Sequence, residues 1–134
     1  MPTESFKTLE AGVAAWNRRD IDAVMENLSA DIVWRTGGQI PDIEAVYEGH
    51  DGVRRFFGEF VDPWDEISIG IEEVIDDRED QVVVRVRFHA RGRAGIEVDG
   101  RFFQIYRYDE SHLCREFHAF PEEAKEEALR EAGL

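Results

Sequence analysis

With a single cysteine, Cys114, the chain can form no intrachain disulfide, no disulfide scaffold and no thiolate zinc cluster. Positive charge is scarce as well: 16 Lys and Arg stand against 30 Asp and Glu, a formal charge of −14. Phosphate backbones are bound by basic patches that release counterions, so no nucleic-acid partner is expected. No run approaches the ~18 apolar residues that cross a bilayer. The opening Met1-Pro2-Thr3-Glu4-Ser5-Phe6 has no basic stretch followed by an apolar one. A cytoplasmic location without a membrane partner is expected. Glycine-rich phosphate loops and serine nucleophile motifs are also missing, which leaves nucleotide transfer and acyl-enzyme chemistry without support. His89, His112 and His118 have no metal-binding spacing and no acidic cluster beside them. No metal and no other cofactor is expected.

What is present is apolar volume. The 134 residues are 43% hydrophobic and 11% aromatic, enough for one core in one domain spanning 1–134. No linker, repeat or low-complexity tract divides it. Phe6, Leu9, Val13 and Trp16 recur at helical spacing behind Thr3 or Ser5 as N-cap. Asp20 caps a second short helix carrying Ile21, Val24, Met25 and Leu28, closed by Ser29-Ala30-Asp31. Ile32 to Thr36 reads as a strand, and a loop holding Gly37, Gly38 and Pro41 runs to about Gly49. Val53, Phe56, Phe57, Phe60 and Val61 then mark a third helix behind Asp51.

After Pro63 the period changes to two. Ile67, Ile69 and Ile71 open a strand reaching about Ile75, and Asp76 to Asp80 is its turn. From Val82 to Arg91 one side is apolar (Val82, Val84, Val86, Phe88, Ala90) and the other mostly basic (Arg85, Arg87, His89, Arg91). Gly92 to Gly95 and Asp99-Gly100 are both turn signals, and either can make the next hairpin. Strands follow through Phe102 to Tyr108 and Leu113 to Phe120, and Pro121 starts a short C-terminal helix. Four consecutive strands with helices over one face give an α+β domain built on an antiparallel sheet. Phe103, Ile105, Leu113 and Phe117 fall on the opposite face, so a homodimer through that convex face is expected.

The strings Ala15-Trp16-Asn17-Arg18-Arg19-Asp20-Ile21-Asp22, Tyr47-Glu48-Gly49-His50-Asp51-Gly52-Val53-Arg54-Arg55-Phe56-Phe57 and Gln104-Ile105-Tyr106-Arg107-Tyr108 resemble the SnoaL-like branch of the nuclear-transport-factor-2-like superfamily. The likeness runs from the first helix to the Glu-Ala-Gly-Leu ending. It implies a cone: a strongly curled antiparallel sheet wrapped around three helices, with a deep apolar pocket at the open end. The superfamily's cone serves ketosteroid isomerases, polyketide cyclases, dehydratases and epoxide hydrolases, and also binding or assembly modules without catalysis, so fold alone names no function. The isomerase base matches Thr36 here, and the isomerase oxyanion donors match Gly12 and Gln104. The known acid/base scheme of the isomerases is therefore unsupported. The aspartate of the SnoaL-like cyclases matches His118, and the Asp, Arg, Asp set of the epoxide hydrolases has no counterpart.

The site expected on these grounds has His118 as general acid/base, tuned by Glu116 two residues earlier on the same side of the strand. Gln104 would orient a ligand carbonyl. Apolar walls for a small, flat, apolar or aromatic ligand would come from Trp16, Trp34, Tyr47, Phe57, Trp64, Phe88, Phe102 and Tyr106. Asp42 and Glu44 would rim the opening. Two functions stay open: proton-transfer chemistry (cyclisation, isomerisation or dehydration), and a non-catalytic dimeric ligand-binding or assembly module.

Overall fold

A computed structural model describes residues 2–37, 43–92 and 95–134. Helix α1 spans Glu4–Asn17 and α2 spans Ile21–Glu26. Strand β1 runs Leu28–Arg35, β2 Val46–Glu48, and helix α3 covers Gly49–Phe56, prolonged by a π-helical turn at Phe57–Val61. Strands β3 (Glu66–Arg78), β4 (Gln81–Arg91), β5 (Glu97–Tyr108) and β6 (Cys114–Pro121) follow, and α4 (Lys125–Glu131) ends the fold.

Helices α1 and α2 start where side chains satisfy free N–H groups of the first turn. Thr3 Oγ1 accepts from Phe6 N at 3.0 Å, and Asp20 Oδ1 accepts from Ala23 N at 3.2 Å. At its far end α1 is tied to the sheet edge: Asn17 exchanges two hydrogen bonds with the backbone of Ile69 at 2.8 and 2.9 Å. That clamp turns Trp16, one residue earlier, into the core.

The six strands form one sheet in the order β2-β1-β6-β5-β4-β3. It is antiparallel except where β1 runs parallel to β6, a pairing outside the meander expected from the sequence. Two bulges in β3, one between Ile71 and Glu73 and one between Val74 and Asp76, curl the sheet around the helices. The hairpin between β4 and β5 is fixed by Gly92 N–H donating to the Ile96 carbonyl at 2.8 Å, while Asp99-Gly100 lies in unbroken register with Phe88 and His89. The concave face of β4 is dry: Val82, Val84, Val86 and Ala90 are fully buried. Each fully buried valine contributes about 1.5–3 kcal/mol.

The convex face differs from the expectation. Val83, Phe103, Ile105 and Phe120 form a second core with Ala128 of α4 and Ala132 just after it. The end of α4 is held down by Gln81 donating to the Ala132 carbonyl at 2.9 Å and Arg107 donating to the Glu131 carbonyl at 2.8 Å, which satisfies carbonyls that a helix end leaves free. Phe117, expected on this face, points to the concave side instead. Of the four residues that argued for a partner subunit, Phe103 and Ile105 are therefore covered within the chain and Phe117 is buried on the other face, while Leu113 stays partly exposed. The basic stripe beside them is paired in the same way: Arg85 with Glu122, Arg87 with Asp99 and Arg91 with Glu66.

Candidate functional site

Helices α1, α2 and α3 and the concave face of the sheet line an open-mouthed cavity of about 110 Å³. An apolar cavity of about 150 Å³ accommodates benzene, so this one is on the scale of a single ring. Among the described residues, its wall contains no Asp, Glu, His, Lys or Arg. The groups in it that could lose a proton are Tyr106, Tyr108 and Cys114. Burial holds both phenols well above their usual range and pushes the thiol up to about 12. No described side chain of this wall changes charge near neutral pH.

Trp16, Trp34, Phe88, Phe102, Gln104 and Tyr106 all line the cavity. Trp16 and Trp34 stack with centroids 6.2 Å apart and planes 14° from parallel, and Trp34 stacks on Phe117 at 4.1 Å. The indole N–H groups of both tryptophans are buried and have no acceptor among the described residues. An unsatisfied buried donor costs about 1–3 kcal/mol. The Tyr106 hydroxyl donates to Gln104 Oε1 at 2.6 Å, which fills one of that oxygen's two acceptor positions.

Three expected wall residues lie elsewhere. Tyr47 is buried beside Phe56, and its hydroxyl donates to Glu59 at 2.6 Å while accepting from Glu44 N at 3.1 Å, which makes it a tie between α3 and the preceding loop. Phe57 packs edge-on against Trp16 outside the cavity. Phe56 and Phe60 line the wall in its place, because residues four apart share a helix face and the next residue is rotated by about 100°. Trp64 packs against Gly92, where an added Cβ would come within 3.2 Å of the indole, and plugs the end of β4. Glu44 faces Arg55 at 2.7 Å, and Asp42 lies outside the described residues.

His118 and Glu116 also depart from the expected site. Both lie on the convex face, paired across the sheet with Ile105 and Arg107. The cause is a bulge: Tyr108 pairs with Cys114 and Arg107 with Glu116, leaving Arg115 as an extra residue. Cys114 faces the cavity as the alternation predicts, but after the bulge every side chain of β6 is reversed. Phe117 and Ala119 turn inward and His118 outward. Glu116 bonds Arg107 and faces Arg35 at 3.6 Å, and it does not orient His118. Burial raises the Glu116 carboxyl, but bonding to Arg107 and the charges of Arg107 and Arg35 outweigh it and hold the carboxyl below its usual value. The His118 ring lies tilted by 32° against Phe120 at 4.0 Å, its buried Nδ1 has no partner among the described residues, and burial lowers its pKa.

With this geometry established, comparison with known proteins places the chain. A family model described as the SnoaL-like domain matches residues 9–116. The chain belongs to the SnoaL-like domain family. No curated protein matches it. Among solved structures, TerC co-crystallised with polyporic acid has a TM-score of 0.79 at 17% identity, over 96% of this chain and 99% of that one. A Mycobacterium tuberculosis protein in complex with estradiol-17beta-hemisuccinate has a TM-score of 0.78 at 14% identity, over 86% and 91%. The Delta 5-3-ketosteroid isomerase of Mycobacterium sp. has a TM-score of 0.78 at 12% identity, over 87% and 91%. At these identities the likeness concerns the fold. Within this SnoaL-like domain, Thr36, matched above to the isomerase base, and Gly12 and Gln104, matched to its oxyanion donors, all line the cavity, and none of them is ionisable. Sequence reasoning missed Phe117, Phe56 and Phe60 among the aromatic wall residues; the first was hidden by the bulge, the other two by the equal hydrophobicity of their neighbours.

Proposed function

We propose that this SnoaL-like domain binds a small neutral ring compound in its cavity and performs no acid/base chemistry on it. The uncharged wall is the observation that carries this reading: a general acid or base needs a pKa near the working pH, and the described lining side chains offer none. Structural relatives bound to polyporic acid and to a steroid hemisuccinate support the cavity as a ligand site in this fold. The volume of about 110 Å³ favours a ligand smaller than either. Because α4 covers the convex apolar face, the single chain is the binding unit in this proposal. A dimer in sedimentation at micromolar concentration would overturn that part.

The test is titration with one-ring compounds, followed by quenching of tryptophan fluorescence. Saturable one-to-one binding with an affinity that stays flat from about pH 5 to 9 is expected. Absence of binding across the series defeats the reading. So does isomerase, cyclase or dehydratase turnover that disappears in Gln104→Ala.

A further inference from the structure

Gly12 stands in the middle of α1, where glycine weakens a helix relative to alanine because more backbone freedom is lost on folding. Two common reasons for such a glycine are missing here. Its φ is not in the left-handed region, and no neighbour presses on it: among the described residues outside α1, the atom nearest to an added Cβ is Asn27 Nδ2, at 3.9 Å, an ordinary contact. Residue 12 nonetheless lies on the core-facing stripe. Leu9 precedes it by three and Trp16 follows it by four, and all three line the cavity, so a side chain at this position would point into it. Ser5, Leu9 and Trp16 are buried, whereas Gly12 between them is partly exposed. The cavity side of α1 therefore carries a notch where one side chain is left out, bordered by Thr8 and Asn27.

What the notch admits follows from its size and its surroundings. A ring takes up the body of the cavity, and the space of a missing side chain beside it has the dimensions of a short alkyl group. A charged group would shed its water into a wall with no described counter-charge. The Thr8 hydroxyl and the Asn27 amide at the border each donate to helix backbone, to the Glu4 and Ala23 carbonyls at 3.1 Å. Resting on the reading of this cavity as a ligand site, we infer that Gly12 determines its size specificity: the cavity selects ring compounds with one short alkyl substituent, and the substituent occupies the notch at Gly12. The helix gives up stability at this position and gains room for the ligand.

Benzene, toluene and ethylbenzene test this, because they differ only in the group offered to the notch. In the wild-type protein each added carbon is expected to tighten binding about fourfold, the worth of one buried methylene. Gly12→Ala should remove most of the advantage of ethylbenzene while leaving benzene within about twofold, and Gly12→Val should remove all of it. Urea unfolding of Gly12→Ala should give a midpoint at or above that of wild type, because alanine is the better helix former, and this separates lost room from lost fold. Intermolecular NOEs in the wild-type protein should join the ethyl group to the Gly12 Hα protons and the Thr8 methyl; if neither variant folds, those spectra decide. Equal loss of all three ligands in Gly12→Ala, or the full ethylbenzene advantage in both variants, overturns the inference while leaving the cavity a ligand site. Binding of none of the three to the wild-type protein overturns the ligand-site reading, and this inference with it.

Discussion

Gln104 and Tyr106 show how a polar group is tolerated in an apolar wall. They stand two apart on β5, so both side chains project from the concave face, and the phenol donates to the amide oxygen at 2.6 Å. Gln104→Leu removes the acceptor and leaves a buried hydroxyl unpaired. A loss of about 1–3 kcal/mol in urea unfolding is expected, without change in the slope. A variant as stable as wild type would show that the hydroxyl finds another acceptor. Gln104 and Tyr106 were legible as wall residues from the alternation of β5 alone. Tyr47 was not, because its destination depends on Glu59 and Glu44, which only the folded chain brings to its hydroxyl.

At the level of elements, the bulge in β6 decides which side chains the cavity receives. Phe117→Ala should empty part of the wall next to Trp34, costing about 3–5 kcal/mol and abolishing ring-compound binding. His118→Ala, one residue on, should leave ligand affinity within about twofold of wild type. Isothermal titration of both variants checks the pair, and loss of binding in His118→Ala would mean that β6 keeps a plain alternation. Helix α4 is the other decisive element. A chain ending before Lys125 exposes Val83, Phe103, Ile105 and Phe120, a contiguous apolar patch of the kind that drives association. Light scattering should report self-association of the truncated chain at concentrations where the full chain stays monodisperse.

For the whole molecule, pH separates the cavity from the shell. The lowered pKa of His118 comes from burial, so between its usual value of 6.5 and its folded value the unfolded chain holds a proton that the folded chain does not. Stability is expected to decline as pH falls below about 6.5. A second decline follows at lower pH: bonding to Arg87 holds Asp99 at about 2 against 3.8, and Glu72 and Glu116 are held below 4.5 by their arginines. Their stabilisation is present above the unfolded values and lost as pH drops through the folded ones. Thermal melts from pH 8 to 3 should therefore show two steps, with the first missing in His118→Phe. Ligand affinity should not follow the first step, since His118 is outside the cavity. No described helix is long and apolar enough to cross a membrane.

Period and punctuation along the chain determined a great deal. The apolar stripes of α1 and α3, the two-residue period of β3, β4 and β5, the α+β class and the SnoaL-like resemblance were all present in local order, because side-chain direction repeats with fixed geometry inside a helix or strand. Tertiary structure decided what depends on one added residue or on a distant partner. The extra Arg115 reversed β6 and moved His118 out of the cavity, the parallel pairing of β1 with β6 joined the first two strands to the meander, and α4 covered apolar residues of the convex face. Register and burial are properties of pairs of segments, and no single segment carries them.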